Sequence, residues 1–277
     1  MPIWRCGAHR FTLTRPLIMG VVNVTPDSFS DGGRFFAPGA ARERALQMLE
    51  EGADLLDVGG ESTRPGAQDV AATEELRRVV PLIETLAAAG AVVSVDTSKA
   101  QVMRAALAAG ASVINDVRAL REPGAVDVVA GADCGVVLMH MQGEPRTMQA
   151  APHYDDVAGE VAAFLQERRA VLRSAGVAAE RIAFDPGFGF GKTPAHNYTL
   201  LARLRELAAL GSPLLVGMSR KSMLGHATGR AVDERLAASI AAVVLAVERG
   251  AAIVRVHDVA ATRDALRVRA AMQAQAI

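Results

Sequence analysis

Eight short apolar runs recur along the chain, and helical patterns fill most of the gaps between them. The runs cover residues 17–24, 54–58, 91–95, 112–115, 136–139, 182–184, 214–217 and 253–256. They are rich in valine and isoleucine, and most follow glycine, alanine or proline, as strand starts do. Helical periodicity covers 40–51, 74–89, 101–109, 157–174, 198–210, 233–249 and 263–274. Strands alternating with helices imply parallel strands joined by crossover helices. A chain of 277 residues, 51% of them hydrophobic, can bury a full core.

An open doubly wound sheet and a closed barrel both use these elements. The polar residues at the strand ends favour the barrel. The runs finish at Asn23, at Asp57 and Glu61, at Asp96, at Asn115 and Asp116, at His140, at Asp185, at Ser219-Arg220-Lys221, and at Arg255 and His257. So many polar ends share one ligand only if the strands close into a ring with a common mouth. The expectation is a single-domain α/β (β/α)8 TIM barrel over 17–277. Residues 1–16 form an N-terminal extension, expected as a hairpin across the barrel bottom. The helix over 236–247 is apolar on nearly every face, which suggests a subunit interface.

Lys+Arg and Asp+Glu both number 30, so no bulk charge draws the chain to nucleic acid or membrane. The N-terminal MPIWRCGAHRF has no apolar run of the signal-peptide kind, and no uncharged helical stretch reaches the about 20 residues of a membrane span. The two cysteines, Cys6 and Cys134, lack metal-type spacing and read as free thiols in a reducing cytoplasm.

The sequence GFGFGKT (187–193) is close to a phosphate-binding P-loop, but Pro186 stands where the first glycine belongs. Lys192, the residue such a loop needs most, is therefore expected as a loop-edge charge with no role. Asp96, Asn115 and Asp185 each end an apolar strand, where a polar group is costly without a partner. Two carboxylates and an amide suit the N–H edge of a nitrogen-rich ring, although helix capping is the plainer use of each alone. Arg255 and His257 alternate with Val254 and Val256 and so share a face, a pattern for an anion site. A structural arginine paired with nearby Asp258 is the competing reading. Asp27 and Asp31 could serve a metal, but turn carboxylates more often bond their own backbone.

The segments IMGVVNVTPDSFSDGG, DVGGESTRPGA, VSVDTSKAQV, INDV, HMQGEPRTMQ, FDPGFGFGKT, VGMSRKSMLG and VRVHDV resemble dihydropteroate synthase over about residues 17–260. The resemblance implies a transferase of folate biosynthesis, usually a homodimer. It would condense 6-hydroxymethyl-7,8-dihydropterin diphosphate with 4-aminobenzoate, which sulfonamides mimic. By motif, Asp96, Asn115, Asp185 and Lys221 would hold the pterin. Thr63, Arg64, Arg255 and His257 would meet the diphosphate, and Asn23 would ligate Mg²⁺. Thr25, Pro26, Phe29, Pro65, Phe190, Lys221 and Ser222 would border the aminobenzoate. Asp96, Lys221, Arg255 and His257 would carry the catalysis. A pterin-dependent methyltransferase shares the barrel and pterin carboxylates but needs neither Arg255/His257 nor the NVTPDSFSDGG segment. A binding-only paralogue is the other alternative.

Overall fold

The computed structural model describes residues 3–25, 38–62 and 69–275. Eight parallel strands close into a barrel: β3 (Leu17–Asn23), β4 (Leu55–Gly59), β5 (Val93–Asp96), β6 (Val113–Asp116), β7 (Gly135–Met139), β8 (Ile182–Asp185), β9 (Leu214–Val216) and β10 (Ala251–Val256). β10 pairs with β3 and closes the ring. Before them, β1 (Ile3–Cys6) and β2 (His9–Thr12) form an antiparallel hairpin.

Helices α1 (Pro38–Glu51), α2 (Ala72–Ala88), α3 (Ala100–Ala108), α4 (Ala125–Ala130), α5 (Val157–Ser174), α6 (Pro194–Ala202), α7 (Leu204–Ala208), α8 (Ser222–Thr228), α9 (Leu236–Val247) and α10 (Val259–Gln273) complete the fold. Two departures from the periodic pattern have local causes. The helix expected over 198–210 starts earlier, because Thr193 caps it and Pro194 opens it, and it breaks at Arg203. α4 and α8 are six and seven residues long, too short to register as a 3.6-residue period.

Strand alternation sorts the side chains into two populations. One set faces outward against the helices and forms the larger core, with Leu56, Val58, Val95, Ile114 and Val254 among its members. The other set points into the barrel. Leu17, Met19, Leu55, Val113, Val137, Ala183, Leu215 and Ile253 make one apolar layer there. Trp4 and Cys6 of the hairpin join that layer, and Trp4 Nε1 donates to the Arg181 carbonyl at 3.1 Å. The hairpin therefore plugs the barrel at the end where the strands begin. Two residues beyond the apolar layer, four of the strands deliver a site residue: Asp57 after Leu55, Asn115 after Val113, Asp185 after Ala183 and Arg255 after Ile253.

Candidate active site

Arg255 organises the mouth. Its Nε donates to Asp57 Oδ2 at 2.6 Å and its Nη2 to Asp96 Oδ2 at 2.9 Å. Asn115 Nδ2 also donates to Asp57 Oδ2, at 3.0 Å. These four residues come from β10, β4, β5 and β6, so only ring closure brings them together. Asp258 is not the partner of Arg255, as local spacing allowed: it pairs with Arg220 through both carboxylate oxygens. Asp57 is fully buried, and its Oδ1 has no hydrogen-bond partner among the described residues. Sequence reasoning gave Asp57 a strand end but no role. Its place in the Leu55–Asp57 alternation was the available signal.

Asp185 is buried at the end of β8, and its Oδ1 accepts the Gly187 N–H at 2.7 Å. Burial raises its carboxyl pKa, opposed by Lys221 and then by that N–H. Burial likewise raises Asp96, against the pull of Arg255. Lys221 is half-buried, and its Nζ donates to the Phe188 carbonyl and sits 4.7 Å from the Phe190 ring centroid. Burial pulls Lys221 down to about 8, with Asp185 opposing and Arg255 assisting.

His257 lies just past β10, with Nδ1 3.1 Å from Ser219 Oγ. Asn23 closes β3, and its Oδ1 would lie 3.7 Å from a Cβ placed on Gly59. Thr25 is buried just beyond that strand, and Ser222 is the exposed first residue of α8. Pro26, Asp27, Phe29, Asp31, Thr63, Arg64 and Pro65 lie outside the described residues. Beside the Arg255 network, Asp96, Thr97, Lys99, Val117 and Arg118 line a cavity of about 180 Å³. At its edge Lys99 joins Glu61 and buried Glu75, each at 2.6 Å.

Lys192 corrects the expectation of a loop-edge charge. It is only 2% exposed, with Nζ 2.9 Å from His140 Nδ1. His140 therefore faces this loop, and its ring packs edge-on to Phe164. Glycine is required at Gly187, which has φ +69°, because a Cβ there would stand 1.8 Å from the His140 carbonyl oxygen.

The family model for pterin binding enzymes matches residues 19–257. The chain belongs to the dihydropteroate synthase family of pterin-binding enzymes. It is 52% identical to the dihydropteroate synthase of Escherichia coli K12 over 257 residues, 92% of this chain and 91% of that protein. A Xanthomonas albilineans dihydropteroate synthase solved with 4-aminobenzoic acid superposes with a TM-score of 0.93 at 56% identity, covering 99% of this chain and 98% of that one. The Burkholderia cenocepacia dihydropteroate synthase complexed with 7,8-dihydropteroate gives 0.91 at 54% identity, over 99% and 98%.

For a dihydropteroate synthase the donor set can be tested against Mg²⁺. Among the described residues no group of three or more His, Cys, Asp or Glu side chains could cage a metal. Asn23 offers one hard oxygen at the mouth. Mg²⁺ prefers one or two protein oxygens, several waters and phosphate oxygens over an all-protein cage. The residues fit a metal that is held mainly by a phosphate substrate.

Proposed function

We infer that this chain is a dihydropteroate synthase that joins 6-hydroxymethyl-7,8-dihydropterin diphosphate to 4-aminobenzoate, giving 7,8-dihydropteroate and diphosphate. The observation that carries this reading is the Asp57–Arg255–Asp96–Asn115 network, with Asp185 and Lys221 beside it at one barrel mouth. A dihydropterin needs hydrogen-bond acceptors for its ring N–H groups, and Asp96, Asn115 and Asp185 supply them. Lys221 offers donors to the ring's acceptor atoms.

Arg255 has five N–H donors, and two are spent on carboxylates, leaving three for an anion. With His257, Thr63 and Arg64 it takes the diphosphate. Asn23 would help hold Mg²⁺ there, and the ion would draw charge off the leaving group when bound. Thr25, Pro26, Phe29, Pro65, Phe190, Lys221 and Ser222 border the aminobenzoate.

The reaction runs dissociatively. The methylene C–O bond breaks first, its electron pair leaving with diphosphate into the Arg255/His257 cradle. The electron-rich ring spreads the resulting cation, and Asp96 faces its charge. The arylamine nitrogen then forms the C–N bond with its lone pair and loses a proton to water. The enzyme works as a homodimer in the cytoplasm, a reading supported by exposed apolar side chains on α9 and α10 and by two unpaired, buried cysteines.

Two measurements test the reading. Mass detection should find dihydropteroate from the two substrates with Mg²⁺; its absence would remove the assignment. Without aminobenzoate some diphosphate should still appear, whereas strict dependence on the amine would exclude the dissociative order.

A further inference from the structure

The segment between β8 and α6 arches over one side of the mouth, and a buried cation sits beneath it. Lys192 Nζ lies 3.0 Å from the Gly187 carbonyl, 3.1 Å from the Phe190 carbonyl and 2.9 Å from His140 Nδ1. An ammonium has three N–H donors and no acceptor, so these three acceptors complete it. Burial drives His140 down to about 2, so its ring is neutral and can accept at Nδ1 with its proton on Nε2. Burial also pulls Lys192 down to about 7, with Asp185 opposing and Lys221 assisting. The Tyr154 ring adds a face 5.9 Å away.

Two of the three bonds go to the two ends of the arch, and the third goes to the residue that follows β7. Lys192 thus ties the arch to the barrel wall from inside. Other bonds hold its outer edge: Tyr154 Oη to the Gly191 carbonyl at 2.8 Å, and the Gly189 N–H to Asn197 Oδ1 at 2.7 Å. What the arch presents to the mouth is the Phe188 carbonyl, which receives Lys221 Nζ, and the Phe190 ring against the same ammonium.

We propose that Lys192 is a positioning residue of the synthase: by closing the Gly187–Phe190 arch onto His140, it sets the orientation of Lys221 and the wall against which 4-aminobenzoate rests. The proposal rests on the reading of the mouth given above. Asp96 and Asn115 stand on strands that the arch does not carry, so pterin recognition should depend on it less.

The test is steady-state kinetics and calorimetry on Lys192→Met, which keeps most of the stem and loses the ammonium. The KM for 4-aminobenzoate should rise about tenfold, the size expected when hydrogen bonds to a charged group are lost. Pterin affinity by calorimetry should fall by a smaller factor, since Lys221 and Asp185 touch the arch whereas Asp96 and Asn115 do not. An aminobenzoate KM within about twofold of wild type in the folded variant would overturn the proposal. A drop in kcat alone, as a smaller folded fraction gives, would overturn it too. Lys192→Arg keeps the charge but brings a planar fork into a three-cornered site, so Tm should recover while the raised KM remains. If Lys192→Met does not fold, Lys192→Arg decides by the same KM criterion. Wild-type protein that forms no dihydropteroate would instead sink the functional reading, which keeps the two failures apart.

Discussion

A carboxylate oxygen that accepts from an arginine and from an amide at once, as Asp57 Oδ2 does, decides how both of them face. A carboxylate can only accept, so Asn115 must turn Nδ2 toward it and leave Oδ1 for the mouth. Asp57→Asn would weaken the hold on Arg255 and let Asn115 flip. We expect kcat/KM for the pterin diphosphate to fall roughly 10²-fold, with helical circular dichroism unchanged; a fall under about threefold would make Asp57 a packing residue only. Lys221 yields a pH prediction. Its folded pKa of about 8 is depressed, so raising the pH through 8 removes the charge the site uses and kcat/KM should fall. Stability should move the other way. Between about 8 and the unfolded value of 10.5 the unfolded chain binds more protons, so the cost of burying this charge is relieved as pH rises. Parallel pH profiles of kcat/KM and Tm for wild type and Lys221→Arg check both signs, because the arginine variant should lose both trends. Asp96, Asn115, Asp185 and Arg255 were legible because each is a polar residue at or near the end of an apolar strand run. The roles of Asp57 and Lys192 were not, because Arg255 and His140 lie 198 and 52 positions away from them.

Strands and hairpin divide the labour along the barrel axis. The strands carry apolar side chains at their starts and polar ones at their ends, while β1 and β2 seal the apolar end with Trp4. Trp4→Ala should therefore lower unfolding stability by about 3–5 kcal/mol in urea titration, as large-to-small core changes do. It should leave kcat nearly untouched, since the residue sits opposite the mouth; a large kcat loss in folded protein would contradict this separation. The barrel strands were readable from their valine-rich runs because parallel strands buried on both faces are continuously apolar. The helix boundaries were less so. Thr193 and Pro194 start α6 ahead of its periodic pattern, and α9 begins at Leu236 because Arg235 (φ −87°, ψ 14°) interrupts the run.

At the scale of the whole molecule, α9 and α10 pack side by side and leave an apolar outer surface. Leu236 and Leu245 are 46% and 45% exposed, and Val268 and Met272 are 73% and 60% exposed. Such a surface suits a second copy of the chain better than water. Sedimentation equilibrium should give twice the chain mass for wild type and the single-chain mass for Leu245→Arg; a monomeric wild type would refute the pairing. The plugged lower end of the barrel has a kinetic consequence. A vessel with one doorway imposes a queue. On the proposed reading, whatever docks against Asp96, Asn115 and Asp185 enters past Lys221 and Phe190, where its co-reactant would rest. That reading ranks arrival by depth, the ring first and the arylamine second.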